Sequence, residues 1–123
     1  MAIFGVGIDI IEVSRIKKSF EKYGNRFKER IFVKSEQEFC ESRNGRFQSY
    51  AARFASKEAF SKALGTGLRG TISWQDIIVF DDEKSKPALE INGRAKTILN
   101  KRKTFLSISH TENYATAIVI IEE

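Results

Sequence analysis

Apolar residues and glycines alternate at the start of the chain. Over Ile3 to Val13, Phe4, Val6, Ile8 and Ile10 fall on one face of a strand, and Gly5, Gly7 and Asp9 fall on the other. The period then lengthens. Ser14 can cap a helix whose Ile16, Phe20 and Tyr23 form an apolar stripe, with Gly24 ending it. Ser35-Glu36-Gln37-Glu38 has the form of a capping box opening a short helix through about Ser42, and Asn44-Gly45 breaks that helix. A long helix is expected from near Phe47 to Gly65, a glycine suited to the left-handed cap. Ile72 to Phe80 and Ala88 to Ile91 predict strands across a charged turn, with Pro87 at the entry to the second. Asn92 predicts a helix cap, with Ala95, Ile98 and Leu99 inward. Thr104 to Ser109 and Tyr114 to Ile121 predict a hairpin around His110-Thr111-Glu112-Asn113. Helices mixed with a mainly antiparallel sheet define an α+β fold.

The long helix organises the rest. Ala51, Ala55, Ala59 and Ala63 recur every four residues, making a narrow face where another backbone can approach closely. A second stripe carries Phe54, Glu58 and Lys62, and Arg53 lies four residues before Lys57. By residue type alone, Glu58 and Lys62 read as an exposed ion pair worth about 0.3 to 0.5 kcal/mol. Asp9 supplies the counter-argument. A carboxylate within an apolar strand is costly unless it is paired, hydrogen-bonded or bound to a metal, and the glycines before it clear space on its own side. Backbone N–H groups at a strand end would satisfy it equally well.

Composition narrows the classes. At 123 residues the chain is expected to be one domain, long enough to bury roughly two thirds of its unfolded surface. Hydrophobic residues at 41% and ten phenylalanines suit an ordinary globular core. The single Cys40 excludes an internal disulfide, and no cysteine or histidine cluster exists to hold zinc. A reducing, cytoplasmic setting is expected, since residues 1–20 lack a signal-peptide core and no apolar run reaches membrane-spanning length.

The net charge of +5 is localised. Between Ser14 and Arg30, Arg15, Lys17, Lys18, Lys22, Arg26, Lys28 and Arg30 face only Glu21 and Glu29, a surplus equal to that of the whole chain. Such a patch is either a solvated helix face or a dock for an acidic partner. A nucleic-acid module would explain the lysines but would leave Asp9 idle, and Phe20 and Tyr23 sit on the apolar stripe instead of interleaving with the charges. Gly65-Thr66-Gly67-Leu68-Arg69-Gly70 spells a dinucleotide fingerprint, but a helix delivers it where a strand is required, so it reads as a helix cap and loop.

Gly7-Ile8-Asp9-Ile10, the Arg53 to Gly67 stretch and Ser107-Ile108-Ser109-His110-Thr111, in this order and over nearly the whole chain, resemble the holo-acyl-carrier-protein synthases. These are the small-type 4'-phosphopantetheinyl transferases. The resemblance implies transfer of phosphopantetheine from coenzyme A to a serine of apo-acyl carrier protein, with release of adenosine 3',5'-bisphosphate, in service of fatty acid biosynthesis. It implies Asp9 and Glu58 as metal ligands, and their hard oxygens favour Mg²⁺ while permitting Mn²⁺. Glu58, directly or through a metal-bound water, is the candidate to take the serine proton, with Lys62 neutralising charge on the diphosphate or protonating the leaving phosphate. Resemblance and charge together nominate Arg53, Lys57, Lys62, Pro87, His110 and Thr111 as contacts to coenzyme A. His110 read by itself is also an ordinary loop histidine. Family members usually place glycine where this chain has Ser85, before Lys86-Pro87. Arg15, Lys18, Lys22 and Arg26 are then expected to meet the acidic carrier. A homotrimer with sites between neighbouring subunits is likewise implied by resemblance alone, and neither nucleic acid nor a membrane is expected as a partner.

Overall fold

The computed structural model describes residues 2–123. Strand β1 (Ile3–Glu12) leads into helices α1 (Val13–Tyr23), α2 (Asn25–Ile31), α3 (Lys34–Glu41) and the long α4 (Arg46–Leu64). A 3-10 turn at Trp74–Asp76 precedes strands β2 (Ile77–Asp81) and β3 (Pro87–Ile91); helix α5 (Gly93–Leu99) and strands β4 (Lys103–His110) and β5 (Tyr114–Glu122) complete the chain. Both sheets are antiparallel, one ordered β1-β5-β4 and the other the pair β2-β3, so the α+β expectation holds. No helix among the described residues is long and apolar enough to cross a membrane.

The alanine face of α4 packs on the large sheet, where Ala51, Ala55, Ala59 and Ala63 are all buried. Helix and strand backbones meet closely because β1 presents glycines there: a Cβ on Gly5 would collide with the Ala63 carbonyl, and one on Gly7 with the Ala59 carbonyl. Gly65 then stops the helix at φ +90, and its N–H bonds back to Ser61 and Lys62. The opposite face of the sheet is uncovered. Val6, Ile8 and Ile10 are 53%, 61% and 66% exposed, and Phe105 on β4 joins them at 52%.

Several expected boundaries move, each for a local reason. Helix α1 begins one residue before Ser14, with Glu12 at its N-cap and no side-chain cap. Tyr23 lies outside the apolar stripe, 51% exposed, because the chain turns at Gly24 (φ +59) into the unexpected α2. The box at Ser35 slides two residues, so that Glu36 reaches back to the Val33 N–H at 3.0 Å. The first strand of the small sheet starts at Ile77 and not Ile72, because the Ser73 hydroxyl accepts from Gln75 N–H and the Asp76 carboxylate accepts from Ser73 N–H, closing the 3-10 turn first. Ser85 keeps the left-handed backbone of its turn, φ +60, despite carrying a side chain, and Asp82 braces that turn by accepting from the Lys84 and Lys86 N–H groups.

Beneath α4 lies a buried ion pair. Lys57 Nζ and Glu36 Oε1 stand 2.7 Å apart, both side chains fully shielded from solvent. Removing one partner of such a pair costs about 3 to 5 kcal/mol, because it strands the other charge. Cys40, also buried nearby, has its thiol pushed up to about 12 by that burial, as suits a packing residue and not a nucleophile.

Candidate functional site

Asp9 points from β1 towards α4, two residues beyond the close contact at Gly7. Its partner is Lys62, whose ammonium donates to Asp9 Oδ1 at 3.1 Å and to the Ile8 carbonyl at 3.0 Å. The Asp9 side chain is 17% exposed and that of Lys62 50%, so the pair opens to solvent on one side. Lys62 therefore reaches across to the strand instead of closing the i,i+4 contact with Glu58. Glu58 stands half-buried beside them. Burial, and after it the negative charge of Asp9, hold its carboxyl above the ordinary carboxylate range, while Lys62 and Arg69 pull the other way. Arg69, in the glycine-rich loop after α4, was not among the candidates the sequence offered; its charge reaches Glu58 only when that loop folds back.

Two adjacent carboxylates with a lysine and an arginine form a hard, oxygen-rich site. No cluster of three or more His, Cys, Asp or Glu occurs among the described residues. Asp9 and Glu58 thus fit an ion that takes one or two carboxylates and completes its shell with phosphate and water, as Mg²⁺ does, and do not fit an all-protein cage.

On α4, Arg53 and Glu58 are about 140° apart at about 3.6 residues per turn, and so face opposite flanks. The Arg53 flank borders a cleft of about 650 Å³ that also takes in Pro87 and His110. Register explains His110: it lies across from Ala115 on β5, on the same side of the sheet as the buried Ala115 and Ala117. Arg53 is 5% exposed and its guanidinium stacks 3.9 Å from the Phe39 ring, with no hydrogen-bond partner for Nε among the described residues. A buried cation so placed is suited to an anion arriving in the cleft. Arg43, Asn44, Gln48 and Ser49 line the same cleft. The sequence showed Asn44-Gly45 only as a helix breaker, and nothing short of the fold brings those residues to Pro87.

Three nominated residues do not reach the cleft, Lys62 among them, since it lies with Asp9 on the other flank of α4. Lys57 is fully buried, and its ammonium is consumed by Glu36 at 2.7 Å and by the carbonyls of Ile31 at 2.7 Å and Trp74 at 3.2 Å, so it is withdrawn from the coenzyme A set. Thr111 shapes the β4-β5 turn, its hydroxyl accepting from Asn113 and Tyr114 N–H at 3.3 and 3.1 Å; it supports His110 without lining the cleft.

The basic segment is split by the bend at Gly24. Arg15, Lys18 and Lys22 are exposed on α1 and Arg26 is exposed on α2. Between α2 and α4 runs a groove of about 470 Å³, lined by Tyr23, Arg26, Arg30, Phe54 and Trp74. Phe54 stacks on Trp74 with ring centroids 4.8 Å apart, one helical turn before Glu58. Arg26 and Arg30 of the basic segment therefore share one flank of α4 with the Asp9, Glu58 and Lys62 group.

Residues 5–119 match the family model of the 4'-phosphopantetheinyl transferase superfamily. A holo-[acyl-carrier-protein] synthase of Chloroherpeton thalassium is 49% identical over 121 residues, covering 95% of this chain and 96% of its own. Among solved structures, the holo-(acyl-carrier-protein) synthase of Bacillus anthracis, in complex with CoA (3',5'-ADP), superposes with a TM-score of 0.83 at 39% identity, over 98% of this chain and 97% of its own. The holo-[acyl-carrier-protein] synthase of Neisseria meningitidis gives 0.91 at 33% identity, over 99% and 100%. With fold, motifs and all three comparisons in agreement over nearly the whole length, the chain belongs to the holo-[acyl-carrier-protein] synthase family of 4'-phosphopantetheinyl transferases.

Proposed function

We propose that this chain transfers 4'-phosphopantetheine from coenzyme A to a serine of apo-acyl carrier protein and releases adenosine 3',5'-bisphosphate, in service of fatty acid biosynthesis. The observation that carries this reading is the meeting of Asp9, Glu58 and Lys62 on the flank of α4 that also borders the groove with Arg26 and Arg30. The serine oxygen forms a bond to the phosphorus attached to pantetheine, and the bond from that phosphorus to the bridging diphosphate oxygen breaks. Glu58 would receive the serine proton directly or through one water, a role its carboxyl, raised by burial, supports. Lys62 offsets negative charge on the departing phosphate. Asp9 and Glu58 would hold Mg²⁺, for which Mn²⁺ can substitute; the bound ion lowers the charge on the diphosphate.

Coenzyme A bears a 3'-phosphate as well as its diphosphate. Arg53 and His110 are proposed to take the former, with Pro87 bordering the adenine and Thr111 holding the turn. Because those residues and Glu58 face opposite flanks of α4, one ligand touching both sets bridges two copies of the chain. The uncovered apolar sheet face supplies a surface for that association, and a homotrimer is the proposed assembly. Arg15, Lys18, Lys22 and Arg26 are the proposed carrier dock, and the buried, unpaired Cys40 suits a reducing cytoplasm.

Incubating the folded protein with coenzyme A, Mg²⁺ and apo-acyl carrier protein is expected to add one phosphopantetheine mass to the carrier. An unchanged carrier mass, with a carrier known to be competent, would defeat the proposal.

A further inference from the structure

The buried pair beneath α4 has a geometry that packing alone does not require. Lys57 spends its three N–H bonds on three different parts of the chain: the Glu36 carboxylate in α3, the Ile31 carbonyl at the end of α2, and the Trp74 carbonyl in the 3-10 turn. Glu36 in turn accepts from Val33 N–H at 3.0 Å through Oε1 and from Val79 N–H at 2.8 Å, on β2, through Oε2. The donors of one side chain and the oxygens of the other are thus matched, as a buried ionic group demands. What they fix is specific. Ile31 terminates the helix that carries Arg26 and Arg30, Trp74 is the ring stacked on Phe54, and Lys57 directly precedes Glu58.

We infer that Lys57 is a positioning residue which, through Glu36, sets the register between the carrier-docking helix α2 and the reacting flank of α4. The inference rests on the proposed transfer to a carrier. It assigns the lysine to the acceptor side of the reaction, since its ammonium bonds the end of α2 and the Trp74 carbonyl and its side chain does not line the cleft at Arg53 and His110. Without the clamp, α2 and Trp74 would drift against α4, the carrier's serine would arrive out of line with Glu58, and coenzyme A would still bind.

The test uses the full chain with Lys57→Met combined with Glu36→Gln, which removes the charges together and leaves neither stranded, and Glu36→Gln alone as the milder variant. Amide hydrogen exchange is expected to quicken about tenfold over residues 28–32 and 74–76 while residues 51–63 keep their protection. The carrier KM is expected to rise about fivefold or more with the coenzyme A KM within about twofold of wild type. Unchanged exchange over residues 28–32, or equal rises in both KM values, would overturn the inference; so would failure of both variants to fold, which would make the pair a stability element only. Should the wild-type chain load no carrier, the proposed function falls, and the exchange comparison still decides the role of Lys57.

Discussion

At the scale of single residues, the chemistry is concentrated in charges whose surroundings differ. Asp9 is paired and open on one side, whereas Glu58 is half-buried with its carboxyl raised, so the two acids are not interchangeable. Asp9→Asn and Glu58→Gln are each expected to lower turnover by about two orders of magnitude or more while the thermal melt stays close to wild type, since both remove charge and not core volume. Turnover near the wild-type rate in the carrier mass assay would remove them from the site. Glu41 offers a pH-dependent contrast away from that site. The Tyr50 hydroxyl, donating at 2.7 Å, and then Arg46 at 3.0 Å hold its carboxyl below the ordinary 4.5. A depressed folded value means that its contribution to stability is complete above the unfolded value and is lost as pH falls through the folded one. The melting temperatures of wild type and Glu41→Gln should therefore differ by a constant amount near neutrality and converge below about pH 4.5. A gap that stays the same down to pH 3 would reject the assignment.

At the scale of elements, β1 and α4 form the proposed working unit and α1 with α2 its proposed approach. The alanine ladder and the paired glycines were legible in the chain because both follow simple periods, four for the helix and two for the strand, and the structure sets them against each other. The break at Gly24 was legible; the helix that follows it was not, because seven residues with a mixed pattern carry too little period to read. Lys57 shows the limit most clearly. Resemblance and charge nominated Lys57 for coenzyme A, and only the partner Glu36, 21 positions earlier, reveals that it is inside. For the approach, Lys18→Glu with Lys22→Glu is expected to raise the carrier KM about tenfold and to flatten its dependence on salt, with the coenzyme A KM unchanged. If both KM values move together, α1 is not the dock.

At the scale of the whole molecule, the separation of the two binding regions matters most. Glu58 and Lys62 face one flank of α4, Arg53, Pro87 and His110 the other, and an apolar sheet face lies uncovered. If the working site is shared, Glu58→Gln and His110→Ala subunits, each inactive in its own assembly, are expected to regain about a quarter of wild-type activity when refolded together in equal amounts, as a quarter of sites pair a good half with a good half. No recovery in mixtures shown by native mass spectrometry to contain both subunits would mean that each chain builds its site alone. Sedimentation of Ile8→Lys should also show smaller particles than wild type, since a charge placed in an apolar contact is costly to bury.

The chain by itself determined the long helix, its small-residue face, the strand that receives it and an acid in need of a partner, because periodicity and burial cost are local properties that composition carries along the sequence. Tertiary structure alone decided which partner each charge takes. Lys62 went to Asp9 and not to Glu58, Lys57 went into the core, Arg53 was left bordering a cleft with its Nε unbonded among the described residues, and Arg69 swung back to Glu58. Electrostatic partnership depends on distance through space and on exclusion of water, and neither is encoded in the spacing of residues along a chain.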